Sequence, residues 1–216
     1  MPNRAYQLND VQQLVADYNG VCTWDFSQGL PLDFIAGPAG NGICLALSCH
    51  WIKLHALDDS LVNLLGGIWN PATRVYIQFN HHEYQRIAAW QRNIARFPNW
   101  VMGYQNWFRN NGLTVVPGNT VPMNAGSLKT ELEQITGGYA MIILKSRNIR
   151  ESHAIAAYIG AHGEDVCFFD PNYGEFWFEN RDDFFFFLHL FANFVYHRNH
   201  RNAIGFDSYE IIRVTR

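Results

Sequence analysis

Three side chains, far apart in the chain, carry the types that thiol chemistry needs. Cys44 follows Gly40-Asn41-Gly42-Ile43, at the start of a segment whose apolar positions recur at helical spacing. A thiol in the first turn of a helix meets backbone N–H groups without helical partners and the positive end of the macrodipole, and both favour the nucleophilic thiolate. The glycines at 40 and 42 leave room for a substrate backbone, and the N–H of Cys44 itself can donate to an oxyanion. His153 opens an apolar run, Ser152-His153-Ala154-Ile155-Ala156-Ala157-Tyr158-Ile159, and Asp170 closes another, Phe168-Phe169-Asp170, before the turn Pro171-Asn172-Tyr173-Gly174. If the two runs are antiparallel neighbours, the start of one lies beside the end of the other and His153 meets Asp170. A carboxylate on one imidazole nitrogen fixes the tautomer and leaves the other nitrogen to take the thiol proton. Singly, each residue has a plain structural reading: a buried thiol, a strand-edge histidine, a turn-forming acid. Together they favour catalysis.

The elements that must position these groups follow from periodicity. Ile43, Leu47, Trp51 and Leu54 predict an amphipathic helix over 43–57 with Asn41 as its N-cap. Residues 27–42 read as loop. Further helices are expected over 10–18, 81–97, 100–110 and 127–135, with Pro98 breaking the second from the third. Strands are expected over 139–145, 153–159, 166–169, 175–178 and 209–214, with a helix over 181–196 before the last. Helices in the first half and an antiparallel sheet in the second make an α+β arrangement, read as one domain over 1–216. The aromatic run Phe184 to Phe187, with Leu188, Leu190 and Phe191, is read as buried core, and Asp182 and Asp183 as charges complementing the start of their helix.

The sequence resembles the YopT/AvrPphB-type papain-like cysteine proteases, a family of bacterial virulence effectors. The resemblance rests on Gly42-Ile43-Cys44 with Leu47 and Trp51-Ile52, on Ser152-His153-Ala154 opening a strand, and on Phe169-Asp170-Pro171-Asn172-Tyr173-Gly174-Glu175-Phe176, with the order Cys, His, Asp kept. It implies a papain-like fold, a Cys44 nucleophile, a His153 base and an orienting Asp170. It also implies cleavage of a protein substrate in a target cell, delivery there by a specialised secretion system, and a secretion chaperone or an immunity or inhibitor protein as further partner. Such a site takes a second oxyanion donor upstream of the nucleophile, for which Asn41 and Gln28 are the candidates. The same triad would also serve a glutamine deamidase, a transglutaminase or a cell-wall amidase, and a non-catalytic binding domain on this scaffold is a further alternative.

Composition narrows the field. The chain has 216 residues, 48% hydrophobic, 15% aromatic and 16% charged, with a formal charge of −3; that is globular, without the basic footprint of a nucleic-acid binder. The start lacks a basic segment followed by an apolar run, so no secretory signal is expected, and the most apolar stretch, 184–195, is too short to span a bilayer. The four cysteines show no CxxC spacing and are expected to be reduced. His81-His82 and His197 with His200 form no HExxH or Cys/His quartet, so neither metal nor organic cofactor is expected. Cys49 points largely around the helix from Cys44, and His55 lies about 16 Å further along its axis, out of reach of the thiol.

Overall fold

A computed structural model describes residues 8–28, 42–70, 75–95, 100–146, 152–196 and 205–216. In chain order these form α1 (Leu8–Asp17), β1 (Gly20–Trp24), α2 (Cys44–Ala56), α3 (Leu61–Leu65), β2 (Gly66–Asn70), β3 (Val75–Phe79), α4 (His81–Ala95), α5 (Trp100–Asn110), β4 (Thr114–Val116), β5 (Thr120–Pro122), α6 (Ala125–Glu133), β6 (Gly138–Lys145), β7 (Ser152–Ile159), β8 (Val166–Asp170), β9 (Gly174–Phe178), α7 (Arg181–Phe191) and β10 (Ser208–Thr215). A π-helical turn, Ala192–Tyr196, continues α7.

An antiparallel sheet in the order β1-β9-β8-β7-β6-β10-β4, with β5 also on β10, divides the protein. Strands β6 to β9 read as nearly unbroken apolar runs because both faces of the sheet are covered. Along β6, Ala140, Ile142 and Leu144 pack with α1, α6 and α7, whereas Tyr139, Met141 and Ile143 pack with α2 to α5. Phe168 and Phe169 of β8 part in the same way. Strands β2 and β3 form a separate hairpin.

Helix α2 departs from the amphipathic expectation. Ile43, Leu47 and Trp51 of the predicted stripe are buried, and so are Ala46, Ser48, Cys49 and Ile52, because the sheet lies on one side and α4 and α5 on the other. Ser48 donates to the carbonyl of Ala154 at 3.0 Å and Trp51 Nε1 to Glu175 at 2.6 Å, fixing the helix against β7 and β9. Of the aromatic run, Phe184, Phe185 and Phe187 are buried while Phe186 faces outward. No helix among the described residues is long and apolar enough to cross a membrane.

Candidate active site

Helix α2 begins at Cys44, so the thiol occupies the first helical residue. The predicted cap, Asn41, lies outside the described residues; the residue at the boundary is Ile43, which supplies no side-chain cap. The exposed N–H groups are instead taken up from distant segments. Gln28 Oε1 accepts from the Ile43 N–H at 3.0 Å, and Gln91 Oε1 of α4 accepts from Ala46 at 2.8 Å while its amide donates to the Gly42 carbonyl. A Cβ at position 42 would stand 3.0 Å from Gln28 Oε1, closer than side chains ordinarily approach, so glycine there eases this contact.

Strands β7 and β8 pair antiparallel, with Ala156 opposite Phe169, which brings the start of one to the end of the other. His153 Nε2 donates to Asp170 Oδ1 at 2.9 Å, which leaves Nδ1 as the ring nitrogen away from the carboxylate. Cys44 Sγ lies 4.0 Å from the Ser152 carbonyl oxygen and shares a hydrogen bond with His153. The three side chains are thus contiguous and buried, Asp170 completely.

Gln28 belongs to the same assembly. Its backbone N–H donates to Pro171, its carbonyl accepts from Tyr84 OH at 2.9 Å, and its Nε2 donates to Asn172 Oδ1 at 2.8 Å. Asn172 in turn donates its backbone N–H to Asp170 Oδ1 at 2.8 Å, and its Nδ2 lies 3.3 Å from His153 Nε2. Tyr196 OH donates to Asp170 Oδ2. Sequence pattern alone does not single out Gln91, Asn172 or Tyr196. Asn172 follows Asp170-Pro171, where it reads as a turn residue, and Gln91 and Tyr196 lie on helices where no spacing distinguishes them.

Burial alone would discharge His153, but the Asp170 carboxylate and its hydrogen bond, aided by the thiolate, push it up to about 10. Burial likewise favours the protonated Cys44 thiol. The hydrogen bond and charge of His153, with backbone N–H groups of Ala154 and Leu45, outweigh that and set its pKa below the ordinary value. The remaining thiols move the other way: burial raises Cys22 to about 11 and Cys167 to about 12, and Cys49 well above its ordinary value.

This inversion sets a stability profile. In the unfolded chain His153 releases its proton near 6.5 and Cys44 near 9.0. Wherever the thiolate–imidazolium pair is formed between those values, folded and unfolded chains hold one proton each on the two groups, so the pair gives the stability no slope with pH. Above 9.0 the unfolded chain holds none and the folded protein still holds one, so stability falls toward about pH 10. In Cys44→Ala only the raised histidine remains. Its contribution is complete below 6.5 and is lost as pH rises, at up to about 1.4 kcal/mol per pH unit. Urea denaturation from pH 7 to 8.5 should therefore be flat in this respect for the wild type and decline for Cys44→Ala; parallel profiles would refute the charge assignment.

Among the described residues no cluster of three His, Cys, Asp or Glu side chains is close enough to hold a metal ion, and His197 and His200 lie outside them. His55 bonds Tyr139 OH at 3.0 Å, away from Cys44, and Cys49 Sγ packs 3.7 Å from Met141 Sδ.

Known proteins resemble this chain in both sequence and fold. The family model described as Peptidase_C58, Yersinia/Haemophilus virulence surface antigen, matches residues 12–211. Cysteine protease YopT of Yersinia pestis is 28% identical over 229 residues, covering 93% of this chain and 69% of that protein. Cysteine protease YopT of Yersinia enterocolitica is 27% identical over the same length and shares. The crystal structure of the Pseudomonas avirulence protein AvrPphB superposes with a TM-score of 0.55 at 17% identity, covering 82% of this chain and 94% of that one, which establishes the papain-like α+β fold.

Proposed function

The chain belongs to the Peptidase_C58 family and is a cysteine protease, and from that premise we propose that Cys44 is its nucleophile, His153 its general base and acid, and Asp170 the residue that orients the base. The observation that carries this assignment is the contact of the helix-start thiol with an imidazole whose far nitrogen is held by a fully buried carboxylate. His153 Nδ1 takes the thiol proton and the thiolate adds to the scissile carbonyl carbon. The developing oxyanion is met by the Cys44 N–H, one of the groups a helix start leaves without a helical partner. Gln28 is the second donor in this reading: an amide nitrogen carries two hydrogens, and Asn172 takes one. His153 then returns its proton to the leaving amine, a thioester remains on Cys44, and a water activated by His153 releases the acid. Asn41, the other oxyanion candidate, lies outside the described residues.

The substrate is a protein, and we read it as one in a target cell, reached through a specialised secretion system with a chaperone or a neutralising inhibitor as the chain's further partner. The virulence description of the family supports a target in another cell.

The assignment is tested by iodoacetamide alkylation against pH, located by peptide mass. At pH 6 a thiol with the ordinary pKa of about 8.5 is only about 0.3% ionised, whereas the hydrogen bond and charge of His153 hold the Cys44 pKa below its ordinary value and enlarge its thiolate fraction. Lower intrinsic nucleophilicity takes back part of that gain. Cys44 should label at least about 10-fold faster than Cys22, Cys49 or Cys167, and His153→Ala should abolish the difference while keeping the fold. Equal rates at all four thiols would sink the triad.

A further inference from the structure

We propose that Tyr196 is a positioning residue of the protease, its phenol fixing Asp170 so that one carboxylate oxygen faces His153. The inference rests on the triad proposed above. Asp170 has two oxygens and no contact with solvent. Oδ1 is shared by His153 Nε2 at 2.9 Å and the Asn172 N–H at 2.8 Å, and Oδ2 accepts from Tyr196 OH. Without the phenol, Oδ2 would lose the donor the structure gives it, and rotation about the Cβ–Cγ bond would exchange the oxygen presented to the imidazole.

The segment that delivers Tyr196 departs from regular helix at this point. The sequence pattern predicts continuous helix over 181–196, but α7 ends at Phe191 and Ala192–Tyr196 winds as a π turn. One extra residue in a turn shifts the phase of the residues after it by about 100°. Such widened turns are uncommon and recur at functional sites. The ring is held on several sides: its centroid lies 5.3 Å from Phe191, 5.6 Å from Phe206 and 5.5 Å from His153, and the Phe206 N–H donates to the Tyr196 carbonyl at 3.0 Å. Burial and the neighbouring carboxylate hold the phenol proton on, so the group acts as a donor at every working pH.

The titratable groups facing Asp170 are His153 from β7, with Cys44 of α2 beyond it, Tyr196 from the π turn, and Tyr173 from the turn after β8. With the thiolate formed, this buried set carries one net negative charge. Removing a donor from its carboxylate makes the set easier to protonate, so Cys44 leaves its reactive form at higher pH.

The test is the pH profile of Cys44 alkylation by iodoacetamide in the wild type, in Tyr196→Phe, and in protein carrying 3-fluorotyrosine at position 196. Tyr196→Phe should move the acid midpoint up by about one pH unit with circular dichroism unchanged, a shift that a purely packing role would not produce. The fluorinated phenol, a stronger donor, should move it down by a few tenths of a unit. This form also decides the matter if Tyr196→Phe does not fold. A profile that coincides with the wild type in either protein, or a downward shift in Tyr196→Phe, overturns the inference. Failure of the triad itself would look different: wild-type Cys44 would then show no labelling advantage over the other thiols, and no dependence on His153.

Discussion

Cys44→Ala is expected to reduce proteolysis by at least about 10⁴-fold, His153→Ala by nearly as much, and the double variant by no more than the worse of the two. The reason is that the pair acts as one unit. Without the base, the thiol is an ordinary buried one, and burial works against its ionisation. Without the thiol, no acyl group can be held while water is activated. The activity that survives comes from binding and oxyanion stabilisation in a site lacking its reactant. The measurement is the count of new peptide N termini produced in a eukaryotic cell lysate, which works for a protease whose substrate is unidentified. Undiminished cutting by Cys44→Ala would show that the nucleophile lies elsewhere.

Asp170→Ala is expected to cost about 3–5 kcal/mol of stability, the usual penalty for removing one member of a buried charge pair. Three donors lose their acceptor at once: His153 Nε2, the Asn172 N–H and Tyr196 OH. Asp170→Asn should cost far less, because the amide oxygen can still accept at the Oδ1 position and the rest of the side chain has the same shape. The charge that holds the proton on His153 would be gone, so the asparagine variant should fold while Cys44 labels more slowly at pH 6. Urea denaturation at pH 7 with alkylation in parallel separates the two effects. Equal stability of Asp170→Ala and wild type would mean that the buried contact contributes nothing.

The placement of the candidate site was legible in the sequence to the extent that local pattern decides it. Cys44 stands where glycines give way to helical periodicity, and His153 and Asp170 stand at the ends of apolar runs joined by a short turn; β7 and β8 pair as those runs predict. Strands β6 to β10 fall within a residue or two of expectation for the same reason. The features that were not legible depend on partners far along the chain. Strand β1 is five residues paired with the distant β9, and β4 and β5 are three residues each, too short for a period to show. Strand β2 opens on Gly66-Gly67, a pair that reads as a turn. The all-round burial of α2 reflects elements on both its sides, not its own sequence. The π turn that places Tyr196 follows from packing against Phe206 and Asp170, which helical periodicity cannot register.

The support of the helix start by Gln28 and Gln91 has a consequence for the order in which the molecule matures. Gln28 and Asn172 are 144 residues apart in the chain, Ala46 and Gln91 are 45 apart, and Cys44 lies 108 residues before the strand end it touches. Contacts of such span close late when a chain folds. Until they close, Cys44 is a thiol like any other, with neither imidazole nor anchored helix beside it. An extended chain therefore presents Cys44 as an ordinary thiol, and on the triad proposed above its activation arrives only with the final tertiary structure.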